Sequence, residues 1–153
     1  MINSLLLELQ EKTQLEKIVI QEFFLSFEMK IPEYSNENVV VVFDDFEVEN
    51  QRNQQFIMDS VDFIVNNFNL IKNEVFKSIV IYLNERYGVK KTTKLFTDLN
   101  VLLTTIEFSP ATSFGTFKLY LNTVYEEEHG IGVLLEKLKV VGVGWGDIRF
   151  PKS

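Results

Sequence analysis

Along the first third of the chain, hydrophobic and polar residues alternate with a period of two. Phe23, Leu25, Phe27, Met29 and Ile31 are interleaved with Phe24, Ser26, Glu28 and Lys30, the pattern of a strand with one buried face. Pro32 and the run Ser35-Asn36-Glu37-Asn38 supply turn residues, and Val39 to Phe43 reads as a second, β-branched strand ending at Asp44-Asp45. The two strands are expected to form a hairpin. Before them, residues 4 to 12 fit a short amphipathic helix with Ser4 as N-cap and Leu5, Leu6 and Leu9 on one side.

The period then changes. From Asn50 onward Ile57, Val61, Ile64, Val65 and Phe68 recur at helical spacing. Asn66-Asn67-Phe68-Asn69 is poor helix material, so the pattern predicts a break there and a restart with Asn69 as N-cap. The second helix carries Ile71, Val75, Ile79, Tyr82 and Leu83 and ends at Tyr87-Gly88, where glycine suits a left-handed cap. A short helix over Thr92 to Leu99 is expected to follow. Beyond Asn100, four strands are expected: Val101 to Phe108, Thr116 to Val124, Ile131 to Leu135 and Leu138 to Gly144. Ser109 to Ser113 forms a loop between the first two, and Glu136-Lys137 a tight turn between the last two. Short links favour antiparallel pairing, because parallel neighbours need long crossovers. The expected architecture is α+β: an N-terminal hairpin, two to three central helices and a C-terminal four-stranded antiparallel meander.

Composition narrows the chemistry. With 153 residues, 46% of them hydrophobic and 14 of them Phe, the chain suits one domain spanning 1–153 with an ample core. The absence of cysteine removes disulfides, thiolate metal sites and thiol catalysis. No uncharged apolar run approaches the length that spans a bilayer, and the start lacks the basic-then-apolar pattern of a signal peptide. A cytoplasmic protein without membrane contact is therefore expected. A net charge of −7 disfavours nucleic acid and favours basic protein partners.

Tyr125-Glu126-Glu127-Glu128-His129-Gly130-Ile131-Gly132 contains the only histidine. As a zinc site it is poor, since neighbours on a strand point to opposite faces and no second histidine or cysteine exists. No nucleophile motif and no phosphate-binding loop accompanies it. It reads better as a structural turn in which Glu128 and His129 reverse the chain, Gly130 takes a positive φ, and Gly132 permits a close backbone approach. In the closing strand, Val141, Val143 and Trp145 are expected on one face and Val140, Gly142 and Gly144 on the other.

This hairpin resembles the C-terminal signature of an uncharacterised bacterial domain family: aromatic, acid, any residue, Glu-His-Gly, apolar, Gly, then Val-Val-x-Val-Gly and Asp. The matching positions are Tyr125, Glu126, Glu128, His129, Gly130, Ile131 and Gly132, followed by Val140, Val141, Val143, Gly144 and Asp147. Tyr125 and Glu126 stand where Trp and Asp are usual. The resemblance covers about a sixth of the chain and transfers no catalytic residue. By general character, small acidic domains of this kind resemble immunity proteins.

The expected function is a non-catalytic protein-binding domain of immunity type that neutralises a basic toxin and needs no cofactor or metal. Asp44, Asp45, Glu47, Glu126 and Glu127 would contact the partner from one shared surface. The alternative is a hydrolytic or metal-assisted enzyme using Glu128, His129 and Asp147. The oligomeric state is left open.

Overall fold

A long helix crosses one face of a seven-stranded sheet whose strands lie side by side in chain order. The structure is a computed structural model that describes residues 2–31, 38–90, 101–108 and 114–150. Helix α1 (Ile2–Lys12) leads into strands β1 (Leu15–Gln21), β2 (Phe24–Lys30) and β3 (Asn38–Asp44). Helix α2 (Gln51–Tyr87) follows, then β4 (Val101–Phe108), β5 (Thr116–Thr123), β6 (Ile131–Glu136) and β7 (Lys139–Trp145). All neighbours are antiparallel except β3 and β4, which run parallel with Phe43 opposite Phe108.

This corrects the expected α+β arrangement of hairpin, two to three helices and separate meander. The strands make one mixed sheet, and the helical middle is one continuous α2 of 37 residues. At 1.5 Å per residue that is roughly 55 Å of helix, enough to serve as the crossover that parallel pairing requires. The expected short helix over Thr92 to Leu99 lies outside the described residues.

The helix does not break at Asn66–Asn69 because its buried stripe runs straight through. Ile57, Val61, Ile64, Phe68, Ile71, Val75, Ile79 and Leu83 are all buried at helical spacing. The Asn67 amide donates to the Phe63 carbonyl at 2.9 Å, so it does not compete for the backbone ahead of it. Burial of this stripe outweighs the weak intrinsic preference of three asparagines. The ends follow local chemistry. The Asn50 Oδ1 accepts from the Arg52 and Asn53 N–H groups at 2.9 and 3.1 Å, and Gly88 closes the helix at φ 68°.

Phenylalanines lock the parallel seam. Phe43 and Phe108 stack at 4.8 Å and 7°, Phe46 meets Phe43 edge-on at 5.5 Å, and Phe56 of α2 closes over Phe108 at 6.4 Å. On α1, Leu5 and Leu9 are buried against the core, and Lys12 pairs with Asp62 of α2. Among the described residues, no helix is long and apolar enough to cross a membrane.

The sheet face away from α2 is open over β1 to β4 but partly covered at the β5–β7 end. There the chain after β7 turns back, and Ile148 fills the space left by three glycines. A Cβ on Gly132 would fall 2.6 Å from Ile148 Cγ2, and one on Gly144 3.1 Å from Ile148 Cδ1, with Gly142 close by. The expected alternation in β7 is also corrected. Leu135 pairs with Val140 and Leu134 with Gly142, so Val141 is an extra residue in a β-bulge. Val140 and Val143 consequently both pack on the core, and Val141 is exposed.

Candidate functional site

The Glu128-His129-Gly130 segment turns the chain between β5 and β6. The Tyr125 N–H donates to Thr123 Oγ1 at 3.3 Å, and the Gly130 N–H donates to the Glu126 carbonyl at 2.9 Å. Gly130 has φ 65°, and a Cβ there would lie 2.6 Å from the Tyr120 hydroxyl. The His129 carbonyl accepts two hydrogen bonds, from the Gly146 N–H at 3.0 Å and from the Tyr120 hydroxyl at 3.2 Å. Its imidazole stacks on Trp145 at 4.1 Å and 9°. From α2, the Arg86 guanidinium sits 5.4 Å from the centre of the Trp145 ring. Tyr87 stacks near Tyr125 and donates its hydroxyl to Glu126. Burial, and then the Glu126 carboxylate it donates to, hold that hydroxyl above the usual phenol range. Glu126 therefore ties the turn to α2 instead of standing free.

A cleft of about 450 Å³ opens beside this turn. Thr105 and Glu107 of β4 and Lys118 and Tyr120 of β5 form its floor. Glu128 and His129 wall one side, and Gly146, Asp147 and Arg149 another. The structure thus gathers the three residues of the enzymatic alternative, Glu128, His129 and Asp147, around one cavity. Their geometry is loose, since His129 Nε2 and Glu128 Oε2 are 4.0 Å apart and the Glu128 side chain is 86% exposed. Among the described residues, no three His, Asp or Glu side chains are grouped to hold a metal.

Lys118 is the unexpected member. It alternates with Phe117 and Leu119 in sequence and so reads as a solvated position, yet it is only 7% exposed because the 146–149 segment lies over it. Its Nζ donates to the Gly146 carbonyl at 2.8 Å and more weakly to the Ile148 carbonyl at 3.5 Å. Burial, with Arg149 adding to it, pushes the amine down from the ordinary lysine value, while Glu107 and Asp147 pull the other way. The sequence signal for this burial was indirect: three glycines at Gly132, Gly142 and Gly144 leave room for a covering segment.

The two acidic loops do not share a surface. β3 and β4 are parallel, so Asp44, Asp45 and Glu47 lie at the end where Phe108 closes β4. β5 runs back and finishes with Thr123 opposite Val101, which puts Glu126 and Glu127 at the other end of the sheet. The separation along the strands is roughly 23 Å, seven residues of β-structure. The expectation of one patch built from both loops is corrected accordingly.

The first loop has a different neighbour. The Phe46 N–H donates to the Phe23 carbonyl at 3.1 Å and the Val48 N–H to the Glu22 carbonyl at 2.9 Å. Phe46 and Val48 are buried beneath, whereas Phe23 in the β1–β2 turn is 51% exposed and Val19 and Ile20 are exposed beside it in β1. Glu22, Asp44, Asp45, Glu47 and Glu49 are all exposed in these two adjoining segments. An exposed aromatic edged by carboxylates results. In sequence Phe23 continues the alternation of β2 and so reads as part of its buried face, but β2 begins at Phe24 and the turn leaves Phe23 exposed.

No family model, curated protein or solved structure matches this chain.

Proposed function

We propose that this chain is a non-catalytic protein-binding domain that takes a basic partner on the surface formed by the Glu22-Phe23 turn and the Asp44–Glu49 loop. The observation that carries this reading is Phe23, half exposed and fixed by backbone hydrogen bonds amid five solvent-facing carboxylates. An aromatic anchor inside a charged rim is the common form of an interaction surface, with the ring supplying affinity and the rim supplying encounter rate. A toxin that cleaves nucleic acid must be cationic to hold its substrate, which makes it a fitting partner and gives the immunity-type reading its physical basis.

The His129 segment supports the non-catalytic half of the proposal. Its carbonyl and its ring are both engaged in holding the turn, and the Lys118 amine is directed at backbone carbonyls. The hydrolytic alternative has the shared cleft of Glu128, His129 and Asp147 in its favour.

The test is a binding titration against a set of cationic nuclease toxins, with a cationic non-toxin protein as control. A toxin that binds should lose at least about tenfold in affinity on Phe23→Ser, the order of one hot-spot side chain. A partner whose binding ignores both Phe23 and the Asp44–Glu49 loop would remove this surface. Hydrolytic activity lost on His129→Gln, with binding unaffected, would replace the proposal by its alternative.

A further inference from the structure

A lysine buried on a sheet face ordinarily meets a carboxylate, because an unpaired ammonium is costly to desolvate. Lys118 does not. Among the described residues it makes no ion pair, although Glu107 is its register partner on β4. Its hydrogen bonds go to two neutral backbone acceptors, Gly146 O and Ile148 O, a number that the two N–H groups of a neutral amine can also satisfy. Lys118 also lines the 450 Å³ cleft, so a small molecule entering that space comes to rest beside its side chain.

We propose that this cleft is a ligand site for small aldehydes and ketones, held as a reversible imine on the Lys118 amine. Desolvation is one way an amine is made nucleophilic toward carbonyls; burial does this for Lys118 and Arg149 adds to it, against the opposing pull of Glu107 and Asp147. The nitrogen lone pair forms the C–N bond while the carbonyl π electrons move to oxygen. Oxygen takes up a proton as nitrogen loses one, giving a carbinolamine. A second proton on that oxygen lets the C–O bond break and water leave as the nitrogen lone pair forms the C=N bond, giving a protonated imine that becomes the neutral imine by returning that second proton to its donor. One amine and one carbonyl become one imine and one water, with no change of oxidation state. Glu107, Tyr120 and Asp147 line the same cavity and can relay both protons. Once protonated, the imine keeps one N–H, which can still donate to the Gly146 carbonyl. Binding of this kind uses none of the residues of the Phe23 surface, which lies two to three strands away across the sheet, in the β1–β2 turn and the loop after β3.

The experiment is reductive trapping of the whole chain at neutral pH with cyanoborohydride, using propanal or glyoxylate, followed by peptide mass mapping. Lys118 is expected to be labelled several-fold faster than the exposed Lys17 and Lys77, and to lose that advantage when the chain is unfolded in urea. Glyoxylate outpacing propanal at Lys118 alone would show that Arg149 also takes the carboxylate; equal rates would show that the carbonyl suffices. Lys118→Arg keeps a cation and its donors but cannot form an imine, so the fast-labelling peptide should vanish while the other sites keep their rates. Labelling of Lys118 no faster than Lys17 and Lys77 in the folded chain would overturn the proposal, as would equal Lys118 rates in folded and unfolded protein.

Discussion

The imidazole of His129 lies 4.1 Å from the indole of Trp145, with the two ring planes 9° from parallel. Since Trp145 is the only tryptophan, its fluorescence reports on this corner of the molecule alone. His129→Gln should shift the emission and cost about 0.5–1.5 kcal/mol, the worth of one aromatic pair. At this chain length that is a fall in Tm of roughly 2–5 °C. Unchanged emission would mean that the stacking does not persist in solution.

Two glycines in the same corner should differ in their response to alanine. At Gly130 the substitution meets both a φ of 65° and the Tyr120 hydroxyl, so a loss above about 1 kcal/mol is expected. At Gly146 the new methyl would run into the edge of the Tyr120 ring and the His129 carbonyl, which also receives the Gly146 N–H. Overpacking against backbone costs about 1–3 kcal/mol or more, and here it should also open the segment over Lys118. Urea denaturation of the two variants measures the losses, and slower reductive labelling of Lys118 in Gly146→Ala, whose amine is then better hydrated, reads the opening.

The acidic loops separate cleanly by position. Neutralising Asp44, Asp45 and Glu47 should slow association with a cationic partner and flatten its dependence on ionic strength, with stability hardly changed. Neutralising Glu127 should leave that rate alone. Glu126→Gln should instead weaken the link between the turn and Tyr87, which thermal melts detect. Stopped-flow rates across a salt series decide between the loops, and equal effects from both ends of the sheet would count against the Phe23 surface.

Lys118 gives a stability profile of definite sign. Its folded-state pKa lies below the ordinary value of 10.5, so between the two the unfolded chain binds the extra proton. Stability relative to Lys118→Arg should therefore rise with pH through that window. Below the depressed value both states are protonated and the difference is flat. Tyr87, whose raised pKa makes each chain's own stability fall above the ordinary phenol value, is common to both chains and cancels in the difference. Parallel profiles for parent and variant would show that the amine is as well hydrated folded as unfolded.

Much of the secondary structure can be read from local pattern. Alternation in β2 and β3 survives because each has one face on the core, and Asn50 and Gly88 mark both ends of α2 by their capping chemistry. Where local pattern failed, a tertiary term was larger. β1 buries only Leu15, so it carries no alternation to detect. Asn66 to Asn69 reads as a break on local preference, but Ile64, Phe68 and Ile71 share one buried stripe that carries the helix through. The bulge at Val141 reset the faces of β7 by one residue, which no count along the chain reveals. Of the candidate sites, the Gly130 turn was visible in sequence, but Lys118 was not, because its burial depends on a segment nearly thirty positions away.

The parallel seam between β3 and β4 divides the molecule by sequence distance. Every other strand pair joins neighbours across a modest connection, whereas Phe43 and Phe108 can meet only after the whole of α2 has been spanned. β1–β3 and β4–β7 are thus two locally zippered halves, and the seam is the step that bears the large loop-closure entropy. The Phe43–Phe108 stack, being the reward for that closure, is where the folding transition state should be most sensitive. Phe108→Leu should slow refolding more than it speeds unfolding, while Phe24→Leu on β2 should do the reverse.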